Sequence, residues 1–294
     1  GGWSPCVLLA ILLFEILCAP AFAQQVVLKP QADAIARQRG WPVRKESPAG
    51  EVIELQKIVN DIPLYYVTLN RTAADSISSD EVWPGGSAGL SLSGSGVRLG
   101  IWDGGRVRTT HQEFGGRAVQ RDGLPALNSH SPHVAGTMIG TGLSPAVSGR
   151  PAGQSHGMSN LASLDCYDFS SDTAEMSTAA AAGLLASNHS YGLITGWRFD
   201  DLGAGSGWYW LGDINVSTFE DYFFGFYSLE AAAWDDIAYK KPYYLMIKAA
   251  GNDRNEGPSP GTTHFVMVNG NWVFSNAVRS VDGIGGYDST SHAG

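Results

Sequence analysis

Two histidines stand three residues apart in the segment NSHSPHVAGTMIG, residues 128–140, at the start of a run of small and apolar residues. Pro132 falls in the first turn of the helix that this run predicts, where the missing N–H of proline costs no hydrogen bond. An imidazole at a helix N-terminus feels the positive end of the helix dipole, which favours the neutral form that a general base needs. His130 is therefore a candidate general base, with His133 as a neighbour that packs or lines a pocket.

The alternative chemistry for these histidines is a His-x-x-His metal site. Residues three apart share a helix face only approximately, and no H-E-x-x-H sequence supplies the acid of a zinc protease. A hydrogen-bonded structural histidine is the other alternative. The spacing argues against a metal pair, and no residue is assigned as a metal ligand.

A carboxylate ends the short hydrophobic run VRLGIWD, residues 97–103. An isolated Asp-Gly-Gly sequence is usually an Asp that caps the following turn. The second interpretation is that Asp103 is a buried carboxylate that orients a histidine. Residue types alone leave both interpretations open.

Asn252 follows Ala249-Ala250-Gly251 at the end of another hydrophobic run. A side-chain amide at the end of a strand is suited to donating a hydrogen bond to an oxyanion. The alternative is an ordinary Asn in a turn after a strand.

Hydrophobic runs that end in Asp, Asn or Gly recur along the chain, at residues 97–103, 161–169, 184–192 and 244–252. Helix-like stretches lie between them, at residues 130–140, 175–186 and 228–241. This alternation predicts an α/β fold in which helices cover both faces of a parallel sheet. Because ligands bind at the carboxyl ends of such strands, we expect Asp103 and Asn252 to face one crevice.

Two further segments interrupt this alternation. The aromatic-rich stretch 197–227 fits no simple period, and we expect it to be an inserted loop. The pair Asn269-Gly270, inside THFVMVNGNWVF, predicts a β-hairpin turn.

The order Asp, His, Asn, in the contexts I-W-D-G-G, H-x-x-H-V-A-G-T and A-A-G-N, resembles the subtilisin-like serine proteases, or subtilases. The resemblance covers roughly residues 85–294. It implies that Asp103 and His130 are the acid and base of a catalytic triad and that Asn252 stabilises the oxyanion. It also implies a three-layer α/β sandwich with a mostly parallel central sheet, incomplete here at its C-terminus.

The resemblance also assigns a substrate-binding crevice for polypeptides. One wall is the run Asn188-His189-Ser190-Tyr191-Gly192, in which Ser190, Tyr191 and Gly192 bind the substrate backbone beside the scissile bond. Ala250 and Gly251 form the other wall. The chemistry requires no cofactor, and a structural calcium ion near Glu113 is the one addition that the resemblance leaves open.

The chain departs from the family pattern at two places. Ser131 and Pro132 stand between the two histidines where the family usually has Gly-Thr, a change that keeps the residues small and helix-initiating. The nucleophile of the family lies in a G-T-S-x-A run, and no such run occurs in the 42 residues after Asn252. We therefore expect the catalytic serine beyond residue 294. The alternatives are a non-catalytic subtilase-like binding module or, on the histidine pair, a metal protein.

The whole chain carries a formal net charge of −9 and no long run of Lys or Arg, which excludes the clustered positive surface that nucleic-acid binding needs. Residues 1–23 combine an apolar stretch with Ala21-Phe22-Ala23, a pattern typical of a secretory signal peptide. Residues 24–84 are interpreted as a pre-domain segment, a candidate partial propeptide. The expected product is a secreted or extracytoplasmic monomer with no membrane contact after cleavage.

Overall fold

The computed structural model describes residues 25–46, 52–68, 79–85, 87–123, 125–143, 156–252 and 256–282. The predicted signal peptide lies outside these residues. None of the described helices is long and apolar enough to cross a membrane.

The N-terminal segment forms an antiparallel sheet with one helix. Its elements are β1 (Val26–Leu28), α1 (Lys29–Arg39), β2 (Arg44–Glu46), β3 (Val52–Val59) and β4 (Ile62–Thr68). β3 pairs with β1, β2 and β4, and the turn between β3 and β4 places both Asn60 and Asp61 at positive φ. Positive φ at both central residues is the geometry that matches a hairpin turn to the twist of its strands.

The rest of the chain alternates strands and helices before it ends in a hairpin. The elements are β5 (Arg98–Asp103), β6 (Ala118–Gln120), α2 (His130–Ile139), β7 (Ser163–Asp168), α3 (Asp172–Ala181), β8 (Ala186–His189), β9 (Tyr191–Leu193), β10 (Trp197–Asp200), β11 (Gly207–Trp210), α4 (Leu229–Lys240), β12 (Leu245–Lys248), β13 (His264–Val268) and β14 (Asn271–Ser275). Short 3₁₀ turns lie at Ser79–Val82 and Gln112–Phe114.

Five strands form a parallel sheet in the order β12-β8-β5-β7-β6. The predicted α/β fold with a mostly parallel sheet is confirmed. The chain first adds β6 and β7 on one side of β5, and then β8 and β12 on the other side. The strand order therefore reverses at β5, and the crevice at such a reversal, outside the carboxyl ends of the strands, is where open α/β sheets bind ligands.

Neighbouring residues of β5 point to opposite faces of this sheet, and each face is covered by helix. Ile101 is buried with Val134 and Ile139 of α2. Trp102 is buried on the other face with Met176 of α3 and Ile237 of α4. The two clusters fix β5 at the centre of the sheet and hold the first turn of α2 beside its carboxyl end.

The helix predicted at residues 175–186 is shifted in the structure, where α3 spans Asp172–Ala181. Asp172 and Glu175 lie in the first turn, where acidic side chains favour the positive end of the helix dipole. Gly183 at φ 86 and the buried Leu184 then lead into β8. The predicted turn at Asn269-Gly270 is confirmed, because β13 and β14 form an antiparallel pair around it.

The prediction of an inserted loop at residues 197–227 is wrong for its first part. β10 and β11 pair antiparallel there, and β11 continues into β13 and β14 as a four-stranded sheet. Trp197 lies opposite Trp210, and both are buried with Val266. Cross-strand aromatic pairs stabilise these strands. The alternation of apolar and polar residues in WRFD was a short signal for β10, whereas GWYW, the sequence of β11, has no such alternation.

The N-terminal segment shares a core with later parts of the chain. Leu55, Leu64 and Tyr65 are buried in one cluster with Leu193 and Tyr209. β4 also pairs antiparallel with β9, which joins the N-terminal sheet to the strand that follows β8. The limits predicted for the pre-domain segment and the catalytic domain stay a prediction.

Candidate active site

The buried carboxylate of Asp103 contacts the imidazole of His130 at the carboxyl end of β5. Nδ1 of His130 lies 2.9 Å from each of the two carboxylate oxygens. Asp103 is completely buried, and only a tenth of the His130 side chain is exposed. With the Nδ1–H donating to the carboxylate, the ring holds one orientation and presents Nε2 as the free acceptor.

Three more groups fix the pair in place. The Ser131 hydroxyl donates to Asp103 at 2.8 Å, and the backbone N–H of Gly104 donates to the same oxygen at 2.7 Å. The side chain of Asn128 accepts the backbone N–H of Ser131 at 2.9 Å, which caps the first turn of α2. Asp103 is thus a carboxylate that accepts several hydrogen bonds rather than a simple turn cap.

Ser131 is one of the two residues at which the sequence departs from the pattern of the family that it resembles. The contact of its hydroxyl with Asp103 was not predicted from the sequence. Its hydroxyl is fully buried between Asp103 and Asn128. A small hydroxyl residue directly after the candidate base was the available signal. Ser131 therefore gives a hydrogen bond to the acid of the pair.

Nε2 of His130 is buried and has no hydrogen-bond partner among the residues that the structure describes. Leaving a buried polar nitrogen unpaired costs about 1–3 kcal/mol. Such exceptions are rare in folded proteins and often mark catalytic atoms. The orphaned atom is the one that a general base uses.

Asn252 lies at the same edge of the sheet, four residues after the end of β12. It is half-buried and follows Gly251, whose φ of 120° lies in the region that favours glycine. β12 is two strands from β5, a distance of about 10 Å across the sheet. The structure places Asn252 at the same edge of the sheet as the Asp103–His130 pair, and the prediction that the two face one crevice stays a prediction.

The predicted substrate strand bends out of the parallel sheet. Ser190 is buried, and its hydroxyl accepts a hydrogen bond of 2.8 Å from the Asn188 amide. Tyr191 and Gly192 belong to β9, where Gly192 lies opposite Val67 of β4. One edge of β9 is therefore already paired within the chain. Ala250 and Gly251, predicted as the facing wall, are exposed.

His133 lies exposed on α2, and its predicted role in packing or as a pocket wall stays a prediction. Within the described parts of the chain, no group of three or more His, Cys, Asp or Glu side chains is arranged to hold a metal ion. Glu113 is buried and accepts hydrogen bonds from the Thr141 hydroxyl at 3.0 Å and the Leu143 N–H at 3.1 Å. These bonds tie the turn after α2 to the 3₁₀ turn that follows β5.

An open cavity of about 520 Å³ lies at the carboxyl edge of the sheet, on the β7 side of the Asp103–His130 pair. Its polar lining consists mainly of carboxylates and one guanidinium, contributed by Arg44, Glu54, Asp122, Asp168 and Glu175. Acidic groups thus dominate this side of the crevice.

Arg44, from the N-terminal segment, lines this cavity. Its guanidinium donates to the carboxylate of Glu54 and to the backbone carbonyl of Gly104, the residue after Asp103. Burial raises the pKa of Glu175 to about 7, although Trp102 donates a hydrogen bond of 3.0 Å to that carboxylate. Contacts between residues sixty apart, as between Arg44 and Gly104, leave no local signal in the sequence.

No family model, curated protein or solved structure matches this chain. The geometry of the site and the resemblance noted in the sequence are therefore the basis of the functional argument.

Proposed function

We propose that this chain carries the acid–base half of a serine endopeptidase site. The observation that carries the proposal is the buried Asp103–His130 pair, with both carboxylate oxygens 2.9 Å from Nδ1 and with Nε2 unpaired. The pair lies where the strand order of a parallel sheet reverses, which is the ligand-binding place of open α/β sheets. The sequence resemblance to subtilases supports the same assignment and a subtilisin-like three-layer sandwich.

In the proposed reaction, Nε2 of His130 removes the proton of a serine hydroxyl supplied from outside the described residues. The serine oxygen attacks the peptide carbonyl, and the developing oxyanion accepts a hydrogen bond from the Asn252 amide. His130 then returns the proton to the leaving amine, and water hydrolyses the acyl-enzyme with the same base. Asp103 keeps the imidazole in the required tautomer and stabilises its protonated form.

The walls of the crevice would bind an extended polypeptide. Ser190, Tyr191 and Gly192 present backbone groups on one side, with Ala250 and Gly251 opposite. β4 pairs with one edge of β9, and because β9 ends this sheet, its second edge is open to an extended backbone among the described strands. The reaction needs no cofactor, and a calcium ion near Glu113, secretion and a monomeric state remain part of the proposal.

A non-catalytic binding module is the second candidate, and the position of β9 at the end of the sheet β1-β3-β4-β9 is the observation that favours it. Addition of a partner strand to the edge that is open among the described strands provides binding without a nucleophile. A metal protein built on His130 and His133 has less support, because the described residues contain no group of three or more His, Cys, Asp or Glu side chains that could hold a metal ion.

The decisive experiment expresses the reading frame that contains this chain, continued to its stop codon, and measures hydrolysis of fluorescein-labelled casein. Hydrolysis that is inhibited by a fluorophosphonate and lost in His130→Ala supports the endopeptidase. As a matched control, His111→Asn changes an exposed histidine, keeps a side chain that can accept the Glu113 N–H, and should retain activity. Casein binding without hydrolysis would instead identify the binding module.

A further inference from the structure

A buried polar cluster joins α3, β8, β9 and β12 behind the proposed crevice. The Ser187 hydroxyl lies 2.7 Å from Nε2 of His189 and 2.6 Å from the Tyr244 hydroxyl. Nδ1 of His189 lies 3.0 Å from the Tyr191 hydroxyl, which donates to Asp172 at 2.7 Å. None of these bonds involves the Asp103–His130 pair, so the cluster has another role.

Lys248, the last residue of β12, reaches this cluster from the neighbouring strand. Its ammonium donates to the backbone carbonyl of Tyr191 and lies 4.2 Å from the centre of the Tyr191 ring. The ring of Trp234 is 5.7 Å away on α4. Lys248 as a whole is half-buried, whereas its ammonium group is enclosed. A cation between two aromatic faces and a carbonyl oxygen is held more firmly than a solvated lysine.

The contact between Lys248 and Tyr191 lies between the two proposed walls of the crevice. The chain leaves the parallel sheet at Ser190, and Tyr191 is the first residue of β9. Lys248 lies two residues before Ala250, which belongs to the proposed wall that faces Tyr191. One ammonium therefore links the strand that forms one side of the proposed crevice to the strand that carries the other side.

We propose that Lys248 is a positioning residue, whose ammonium holds β9 against β12 so that the crevice keeps the width that an extended peptide needs. The inference rests on the proposed peptide-binding function. It adds that peptide affinity depends on the charge of Lys248, a residue outside the acid–base pair and its oxyanion donor.

Burial lowers the pKa of Lys248 to about 7, against the opposing attraction of Asp172. Burial also lowers the pKa of His189 on β8 well below its usual value, so this imidazole stays neutral. The same cause raises the pKa of the phenols facing the cluster, those of Tyr66 on β4, Tyr191 on β9 and Tyr244 before β12.

Two acidic groups complete the surroundings of the ammonium. Burial raises the pKa of Asp172 on α3. Glu230 on α4 is paired with Lys57, which outweighs burial and lowers the pKa of Glu230. The ammonium of Lys248 is therefore present below about pH 7 and is lost as the pH rises through that value, which removes the charged donor from the Tyr191 carbonyl.

The test measures binding of fluorescein-labelled β-casein, an unfolded polypeptide, by thermophoresis between pH 6 and 8.5. It compares the wild-type chain with Lys248→Arg, which keeps its charge over this range, and with Lys248→Met, which never has one. Lys240→Met removes a lysine that is largely exposed on α4 and serves as the control. A hydrogen bond to a charged group corresponds to roughly tenfold or more in affinity.

We expect wild-type affinity to fall roughly tenfold across this range. Lys248→Arg should bind tightly throughout, and Lys248→Met should bind weakly at both ends. Equal, tight binding by wild type and Lys248→Met at pH 6, where the Lys248 ammonium is present, would overturn the positioning role while leaving peptide binding intact. Absence of wild-type binding at every pH would instead remove the proposed function, and the positioning role with it.

A second measurement covers the case in which Lys248→Met fails to fold. In the wild-type chain labelled with [ε-13C]lysine, the Lys248 signal, assigned by its loss in Lys248→Arg, should titrate near pH 7. Titration in the ordinary range of lysine, near 10.4, would show a solvated ammonium and would overturn the proposal.

Discussion

Ser131 and Asn128 stabilise the Asp103–His130 pair through hydrogen bonds, although neither residue belongs to the Asp, His and Asn pattern found in the sequence. The hydroxyl of Ser131 reaches the buried carboxylate at 2.8 Å, and Asn128 fixes the turn that aims this hydroxyl. A buried carboxylate is stable only when its oxygens accept hydrogen bonds. The geometry of the pair therefore depends on neighbours that do not themselves react.

Replacing Ser131 by Ala should lower the free energy of unfolding by about 1–3 kcal/mol, because a hydrogen bond to a buried charge is lost. Urea denaturation of the chain at pH 7 measures this change. The matched control is Thr137→Val on the same helix, where the lost hydroxyl bonds only a backbone carbonyl four residues earlier. Equal effects of the two substitutions would contradict the role of Ser131.

Asp103→Asn should reduce turnover by about four orders of magnitude in the product of the complete reading frame. That magnitude is the one established for the corresponding change in serine proteases, in which the imidazole adopts the wrong tautomer. Steady-state kinetics on casein and circular dichroism give rate and folding together. A loss of less than tenfold in a folded variant would remove Asp103 from the triad.

Asn252→Ala in the same product should lower kcat by roughly a hundred- to a thousandfold and leave KM almost unchanged. The reason is that, in the proposed reaction, the amide stabilises charge that develops only in the transition state. Separate determination of kcat and KM distinguishes this role from ground-state binding. A raised KM with an unchanged kcat would make Asn252 a substrate-positioning residue.

At the scale of elements, β5 was predictable because Ile101 and Trp102, buried on opposite faces of the sheet, belong to a nearly continuous apolar run. β5, β7, β8 and β12 fall within the predicted runs, and so Asp103 and Asn252 share a sheet edge. β10 and β11 were missed, because the alternation in WRFD spans only four residues, GWYW has none, and both strands are held by Trp197 and Trp210 packed with the distant Val266. The contact of Lys248 with Tyr191 could not be predicted from the sequence, because it joins two strands that are far apart in the chain.

Trp210→Ala should destabilise the protein by about 3–5 kcal/mol, because it removes a large buried side chain from the sheet of β10, β11, β13 and β14. Phe199→Ala, on the same sheet but more than half exposed, should have a much smaller effect. Urea denaturation followed by circular dichroism compares the two. Similar, small effects would indicate that residues 197–210 do not form a packed sheet.

At the scale of the whole molecule, the proposed acid–base pair lacks a nucleophile among the described residues. Nε2 of His130 has no hydrogen-bond partner in this part of the chain. We expect residues 24–294 alone to show no peptidase activity and no labelling by a fluorophosphonate probe, because such probes react with a serine activated by a base. Intact-mass spectrometry after labelling is the measurement. Stoichiometric labelling of any serine in this range would place the nucleophile within the chain.

The pairing of β4 with β9 has a consequence for synthesis on the ribosome. These strands are separated by about 120 residues, so at roughly 5–20 residues per second the N-terminal hairpin waits on the order of ten seconds for its neighbour. During that interval β4 exposes an unpaired backbone edge and apolar side chains that later lie buried, among them Leu64 and Tyr65. An open edge of this kind is a template for pairing with other chains. The newly made chain would therefore need a chaperone, or a low local concentration of its own copies, until Leu193 emerges.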